Sequence, residues 1–309
     1  MKNIICVVGP TASGKTKLSV ELCRRYDGEV VSCDSMQIYR GMDVGTAKVT
    51  REEMQGVPHH MIDIIDPDED FSVSRYTELA DACVQDILAR GKTAVITGGT
   101  GLYIDSLIAG RTFAPIPSTG KREMLYDLAR GQGIEAVIAQ LREVDPESAA
   151  RLHPSDEKRI IRALEVWLET GKTITQHNLE TQQIPPKYDP VWLGLNFAER
   201  QDLYDRIDCR VDIMVEGGLW AEVERLLAGG VRESATALQA IGYKEPIQAL
   251  RGEITREEAV EKIKQESRRY AKRQLTWFRR NAKMHWLMLP REPDFDAVVR
   301  EACEIAENA

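Results

Sequence analysis

Gly9, Pro10, Thr11, Ala12, Ser13, Gly14, Lys15 and Thr16 satisfy the pattern G-x-x-x-x-G-K-[ST] at every fixed position. Glycines at both ends let backbone N–H groups close around phosphate oxygens, and a following helix adds the positive end of its dipole. Lys15 supplies a point charge, and Thr16 a hydroxyl of the kind that ligates Mg²⁺. The stretch is expected to grip a diphosphate, with Mg²⁺ as the implied cofactor. Nothing in the motif distinguishes a nucleoside triphosphate from another diphosphate.

Asp34 follows the apolar run Val30 to Cys33, which puts its carboxylate at the strand edge that also carries the phosphate loop. Three roles stay open from spacing alone: a magnesium-linked carboxylate, a general base, or a structural strand-end aspartate. Arg206 and Arg210 lie four residues apart on one helix face beside Leu203, Ile207 and Val211, so either can clamp a diphosphate. Their alternative is ion pairing with Asp205, Asp208 or Asp212. His59 and His60 are read as structural, because neighbours in a strand face opposite ways and no further ligand stands at metal spacing.

These residues need a scaffold. Short apolar runs at Ile4 to Val8, Val30 to Cys33, Met61 to Ile65, Ala94 to Thr97, Val191 to Leu195 and His285 to Leu289 alternate with helical patterns. That is the signature of an α/β fold, here a P-loop NTPase-like parallel sheet core. The pattern lapses between Pro115 and Pro190, where Ile134, Val137, Ile138 and Leu141 fall at helical spacing. A second helix is expected from a cap at Ser155 or Asp156, with Ile160, Ile161, Leu164, Trp167 and Leu168 on its apolar side, to Gly171. The expected division is a core of 1–114 and 190–309 with an inserted all-helical domain at 115–189. Prolines 115, 117, 185 and 186 serve as its hinges.

Thr255 and Glu258 form a capping box for a helix expected to run to about Lys283. Lys264, Arg268, Arg269, Lys272, Arg273, Arg279 and Arg280 share one side of it, and Val260, Ile263, Tyr270 and Trp277 the other. Glu261 and Glu266 are its only acids from Glu261 to Lys283, so the face reads as a phosphate-backbone contact. The whole chain carries a net charge of −8, which excludes general polyanion binding and makes such a patch local. Lys158, Arg159 and Arg162 add a second basic row in the insertion.

With 43% hydrophobic and 29% charged residues, and no apolar run near the ~18 residues that cross a bilayer, the composition is that of a globular protein without a membrane span. Ile4 to Val8 is too short for a signal peptide, so the expectation is a chain that starts at Met1 and stays in the cytoplasm. Six cysteines without a C-x-x-C pair argue for reduced, structural thiols.

Five segments, taken together and in this order, resemble the bacterial tRNA dimethylallyltransferase family. They are Gly9 to Thr16, Asp34 to Lys48, Pro58 to Asp63, Gly98 to Tyr103 and Tyr270 to Arg279, and they cover nearly the whole chain. The resemblance implies transfer of a dimethylallyl group from dimethylallyl diphosphate to the exocyclic N6 amine of the adenosine 3′-adjacent to a tRNA anticodon. In that reading the phosphate loop holds the prenyl donor. Asp34 is the base, Thr100 and Arg210 act with it, and Arg210 is favoured over Arg206 as the clamp. Thr11 and Thr100 line the channel where donor and acceptor meet.

The same resemblance assigns Asp34, Ser35, Met36 and Gln37 to the extruded base, with Thr100 among the tRNA contacts. It assigns Arg122, Lys158, Arg159, Ile160, Ile161 and Arg162 to the tRNA, and the basic helix adds Arg269, Arg273, Trp277 and Arg280. The partners implied are the tRNA anticodon stem-loop and dimethylallyl diphosphate; separately from the resemblance, the acidic chain is expected to be a monomer. One departure is the run Gln239 to Lys244, where some relatives carry an arginine and a cysteine before Val-Gly-Tyr. The rivals are a P-loop kinase or ATPase, a non-catalytic RNA-binding protein, and an adenylate isopentenyltransferase acting on free nucleotide. The last has no need of the long basic helix or the insertion.

Overall fold

Residues 3–111, 119–182 and 185–309 of the computed structural model are described. The chain begins β1 (Ile4–Val8), α1 (Lys15–Arg25), β2 (Gly28–Cys33), α2 (Arg51–Met54), β3 (His59–His60), α3 (Val73–Ala89), β4 (Thr93–Gly98) and α4 (Gly101–Ala109). Helices α5 (Lys121–Gln132), α6 (Ile134–Val144), α7 (Pro146–Arg151), α8 (Glu157–Thr170) and α9 (Ile174–Gln182) follow. Then come β5 (Val191–Phe197), α10 (Arg200–Glu216), α11 (Leu219–Ala228), α12 (Lys244–Leu250), α13 (Arg256–Phe278), β6 (Met284–Leu289) and α14 (Phe295–Asn308).

The six strands form one parallel sheet in the order β3-β2-β4-β1-β5-β6. β1, β2 and β5 are buried at every position, as continuous apolar strands covered on both faces must be. Ile5, Val7, Val30, Val95, Leu193 and Leu195 supply one core; Ile4, Cys6, Val8, Val31, Ala94 and Ile96 supply the other. Successive side chains along each strand thus divide between two helical layers. β1 lies between β4 and β5, so its C-terminal end opens on a crevice where the connections part, the usual ligand position in such sheets.

Arg111–Pro186 form a separate compact unit from Met1–Gly110 with Lys187–Ala309. Both boundaries fall somewhat earlier than the sequence pattern placed them. At the second, Tyr188 is tied to the core: its N–H donates to Ile108 O at 3.1 Å and its hydroxyl to Asp81 at 2.7 Å. Pro115 and Pro117, expected as hinges, lie outside the described residues. The inserted unit packs Leu125, Val137, Ile138, Leu141, Ile160, Ile161 and Leu164 into its own centre, with Trp167 and Leu168 against it.

Met61 to Ile65 is not a strand. The pairing falls two residues earlier, at His59–His60, and Met61 and Asp63 take left-handed φ values of 65° and 54° that end any extended run. The segment folds back on the Asp34 to Lys48 loop instead. Asp63 N–H donates to Gln37 O, and Lys48 Nζ donates to Asp63 Oδ1 at 2.5 Å, Asp43 Oδ1 at 2.7 Å and Tyr39 O at 2.7 Å. Two of the five segments are thereby locked together by one buried lysine. His59 and His60 are structural: His59 Nδ1 lies 2.9 Å from Val57 O, and His60 Nε2 lies 2.8 Å from the buried Glu29 carboxylate.

Glu222 fixes the other side of the same loop. Its buried carboxylate accepts N–H bonds from Asp43, Val44 and Gly45 at 2.8 to 2.9 Å and the Tyr243 hydroxyl at 2.7 Å. The Tyr243 ring lies flush on Gly45, where an added Cβ would come within 2.5 Å of it. Because that ring is fully buried and tethered at its hydroxyl, Gly45→Ala is expected to cost about 1–3 kcal/mol by overpacking. Denaturant unfolding of the variant measures it, and a midpoint equal to the parent's would contradict the packing described.

Candidate active site

The phosphate loop leaves β1 with Gly9 at φ 148° and enters α1 through Gly14 at φ 91°. Gly9 has no alternative, because a Cβ there would lie 2.5 Å from Leu195 O. Ser13 Oγ is buried, 1% exposed, and has no hydrogen-bond partner among the described residues. An orphaned hydroxyl inside a glycine cradle is what a site for an incoming oxyanion leaves. Lys15 Nζ donates to Pro10 O at 2.6 Å. Desolvation pulls its pKa down to about 7, with the Arg210 charge adding to the fall and Asp34 opposing it.

Asp34 stands directly beyond β2. Its Oδ1 accepts the N–H of Met36 at 2.8 Å and of Gln37 at 3.2 Å, a local turn that fixes the carboxylate and leaves Oδ2 available to a ligand. Thr100, which precedes α4, donates its N–H to Cys33 O, and its Oγ1 accepts Ser35 N–H at 3.2 Å. The ends of β2 and β4 therefore hold Asp34 and Thr100 side by side.

α10 brings both arginines to this crevice. Arg206 Nε donates to Ala12 O in the phosphate loop at 3.2 Å, and Arg210 Nη2 donates to Ala47 O at 3.2 Å. Burial lowers the pKa of the Arg210 guanidinium, against the pull of Asp34 and Glu53. Neither arginine takes the aspartates of its own helix. Asp208 pairs with Arg268 at 2.5 Å and Asp212 with Lys264 at 2.6 Å, both from α13.

Two clefts meet at Arg210. One, of about 750 Å³, is lined by Ser13, Lys15, Thr16, Lys48 and Arg206; the other, of about 310 Å³, by Thr11, Asp34, Met36, Tyr243, Tyr270 and Arg273. Ala47, Arg210 and Met214 belong to both. An anion in the first cleft and an acceptor beside Asp34 in the second would face each other across a guanidinium. No cluster of three or more His, Cys, Asp or Glu among the described residues can cage a cation. Thr16, exposed at the start of α1, offers one hydroxyl oxygen of the kind a hard ion such as Mg²⁺ takes, and the remaining oxygens would have to come from a ligand's phosphates and water.

The basic helix behaves differently from its expected arc. The Thr255–Glu258 capping box is present, but α13 stops at Phe278 rather than near Lys283. Asn281 turns the chain toward β6, its side chain accepting Lys283 N–H at 2.9 Å. Lys264 and Arg268 are consumed by α10, so of the expected arc Arg269, Lys272, Arg273, Arg279 and Arg280 stay exposed. Arg269 is shared with Glu266 at 2.6 Å. Trp277 is half-buried: its Nε1 donates to Asp105 at 2.8 Å, its ring covers Gly101, and Arg280 lies over that ring at 5.7 Å.

In the inserted unit, Lys158 and Arg159 are exposed as expected. Ile160 and Ile161, placed among the RNA contacts by resemblance, are not surface residues. They are 0% and 1% exposed and form that unit's core, so their side chains hold the helix that carries Lys158, Arg159 and Arg162. Arg122 and Arg162 both pair with the buried Glu165, at 3.0 and 2.9 Å. Sequence reasoning put Tyr270 only on the packing face of its helix and gave Gln274 and Glu222 no role. Tyr270 and Gln274 do lie inside one of the five segments, but the partners of Gln274 and Glu222 lie far away in the chain.

A six-stranded parallel α/β sheet with a glycine-rich loop after β1, a strand-end carboxylate beside it and two clefts that meet there is a P-loop-like core. Residues 37–281 match the family described as IPP transferase. A tRNA dimethylallyltransferase of Thermoanaerobacter sp. (strain X514) is 49% identical over 288 residues, which cover 93% of this chain and 91% of that one. The crystal structure of the full-length tRNA isopentenylpyrophosphate transferase from Bacillus halodurans superposes with a TM-score of 0.74 at 44% identity, covering 100% of this chain and 98% of that chain. A eukaryotic dimethylallyltransferase acting on tRNA superposes at 0.83 with 26% identity, covering 100% and 80%. The chain belongs to this family, the tRNA dimethylallyltransferases, and is a prenyltransferase.

Proposed function

We propose that this enzyme transfers the dimethylallyl group of dimethylallyl diphosphate to N6 of the adenosine 3′-adjacent to the anticodon of tRNA. The observation that carries this reading is the pair of clefts joined at Arg210, one with the phosphate cradle and the other with Asp34. The N6 lone pair attacks C1 of the donor, the C1–O bond breaks, and its electron pair leaves with the diphosphate. Asp34 Oδ2 takes the N6 proton. Lys15, Arg210, Ser13 Oγ and the loop amides meet the charge that grows on the departing oxygen. Bound Mg²⁺, held through Thr16, would add further neutralisation of that charge.

An adenine stacked in an RNA helix is out of reach of Asp34, so the acceptor must be extruded, which a loop permits at low cost. The exposed cations of α13 suit the RNA backbone around it. Lys272→Ala with Arg279→Ala is expected to weaken RNA binding and to flatten the plot of log affinity against log salt by about 0.7 to 0.9 for each phosphate that is no longer neutralised. Arg268→Ala, which breaks an internal pair with Asp208, should lower stability and leave that slope alone. Binding titrations at several salt concentrations distinguish the two.

The test of the reading as a whole is incubation with labelled dimethylallyl diphosphate, Mg²⁺ and unmodified tRNA. Label should appear in the RNA with the parent enzyme. Turnover of ATP without label in the RNA would give the chain to the kinase or ATPase alternative.

A further inference from the structure

α13 presents a cationic face outward and a second face inward, and the inward face reaches both halves of the site. Gln274, 5% exposed, accepts Thr11 N–H through Oε1 at 2.9 Å and donates through Nε2 to Gly99 O at 3.0 Å. One side-chain amide thus spans the phosphate loop and the turn that follows β4. Gly99 answers to it: a Cβ at that residue would lie 2.0 Å from Gln274 Nε2. Tyr270, one turn before Gln274 on the same helix, lines the cleft that contains Asp34, and Thr100, next to Gly99, holds Ser35 beside Asp34.

A primary amide is unusual in being able to do this. It offers an acceptor and a donor at the two ends of one rigid group, whereas methionine of similar length offers no donor and only a weak acceptor, and a carboxylate only the acceptor. Loss of the amide takes the side-chain partner from the Thr11 N–H, at the wall of the cleft, and from the buried Gly99 C=O.

We propose that Gln274 is a positioning residue for the transfer reaction, setting the separation between the donor loop at Thr11 and the acceptor turn at Gly99 and Thr100 from the helix that faces the RNA. This deepens the prenyl-transfer reading and rests on it. Asp34 and Arg210 act on the reacting atoms; Gln274 decides how far apart the surfaces carrying them stand. The reaction is sensitive to that distance, since a misplacement of about 1 Å can cost about 10²-fold in rate.

Two substitutions test it. In Gln274→Met, kcat per folded molecule at saturating dimethylallyl diphosphate should fall about 10²-fold. Pyrophosphate affinity should fall about tenfold as the loop loses one support, while affinity for an anticodon stem-loop RNA stays at the parent's value. In Gln274→Glu, the ratio of variant to parent rate should rise as pH falls, because a protonated carboxyl again donates to Gly99 O while accepting from Thr11. A staple that only holds the fold would reduce the yield of folded protein and leave kcat per folded molecule and that pH ratio unchanged, which would overturn the proposal. If the parent itself prenylates no RNA, the prenyl-transfer reading falls separately. Pyrophosphate affinity then decides alone: a loss in Gln274→Met keeps the donor-loop tie, and no change removes it.

Discussion

Asp34→Asn is expected to lower the rate of prenyl transfer by about 10²- to 10⁴-fold, the range a positioned general base contributes. Asparagine is the informative choice because Oδ1 of Asp34 is already occupied. It accepts the N–H groups of Met36 and Gln37, and an amide oxygen can do the same. What asparagine cannot do is take a proton at the second position, so the loop survives and the base is lost. Donor affinity should stay close to the parent's. Asp34→Ala removes the turn as well, and any extra loss in that variant measures the structural share. Single-turnover kinetics with saturating donor and RNA check this, and an asparagine variant with the parent's rate would remove Asp34 from the chemistry.

Lys15→Ala should produce the second large effect, on the donor. A charged hydrogen bond to phosphate is worth about 1.5–3 kcal/mol, so donor affinity should fall by about one to two orders of magnitude. Loss of charge stabilisation in the transition state adds a further factor of about 10² to 10³ in kcat. The pH dependence carries the diagnostic. In the unliganded enzyme the Lys15 pKa is lowered from 10.5 to about 7 by desolvation, with Arg210 adding to the fall. Between those values the unfolded chain holds a proton that the folded chain lacks, so this group makes unliganded stability rise with pH across that window.

Binding a diphosphate restores the proton, which reverses the sign for the ligand. Affinity for pyrophosphate should therefore decline as pH rises above about 7, and binding should take up a proton. Calorimetry in buffers of different ionisation enthalpy reads that uptake directly. Both the decline and the uptake should vanish in Lys15→Ala. A parent enzyme whose pyrophosphate affinity is flat from pH 6 to pH 9 would show that Lys15 is not the group that meets the anion.

Several features needed no structure because they are local. The phosphate loop is eight consecutive residues whose chemistry is stated by their types. The buried strands β1, β2 and β5 announce themselves as uninterrupted apolar runs, and the start of α13 as a capping box that satisfies its own first turn. Spacing of two or of three and four residues records which side of an element is apolar. It does not record what that side meets.

The misreadings share that cause. Lys264 and Arg268 look like an RNA face until α10 brings Asp212 and Asp208 against them. Ile160 and Ile161 sit among basic residues in the chain but inside a core in space. Met61 to Ile65 has strand-forming residues, yet the grip of Lys48 on Asp63 turns it into a loop. The contacts that assemble the site, Thr11 with Gln274, Gly45 with Glu222, and Arg206 with Ala12, join residues far apart in the chain. No period in a sequence encodes such pairings, because they arise when the sheet order sets β4 and β5 beside β1 and α13 closes over the ends of the strands. The amino-acid sequence by itself determined which groups can hold phosphate, accept a proton and face a polyanion. Only the tertiary structure decided which of them share a cleft, since hydrogen bonds and charge pairs act over a few ångströms of space regardless of how many residues lie between.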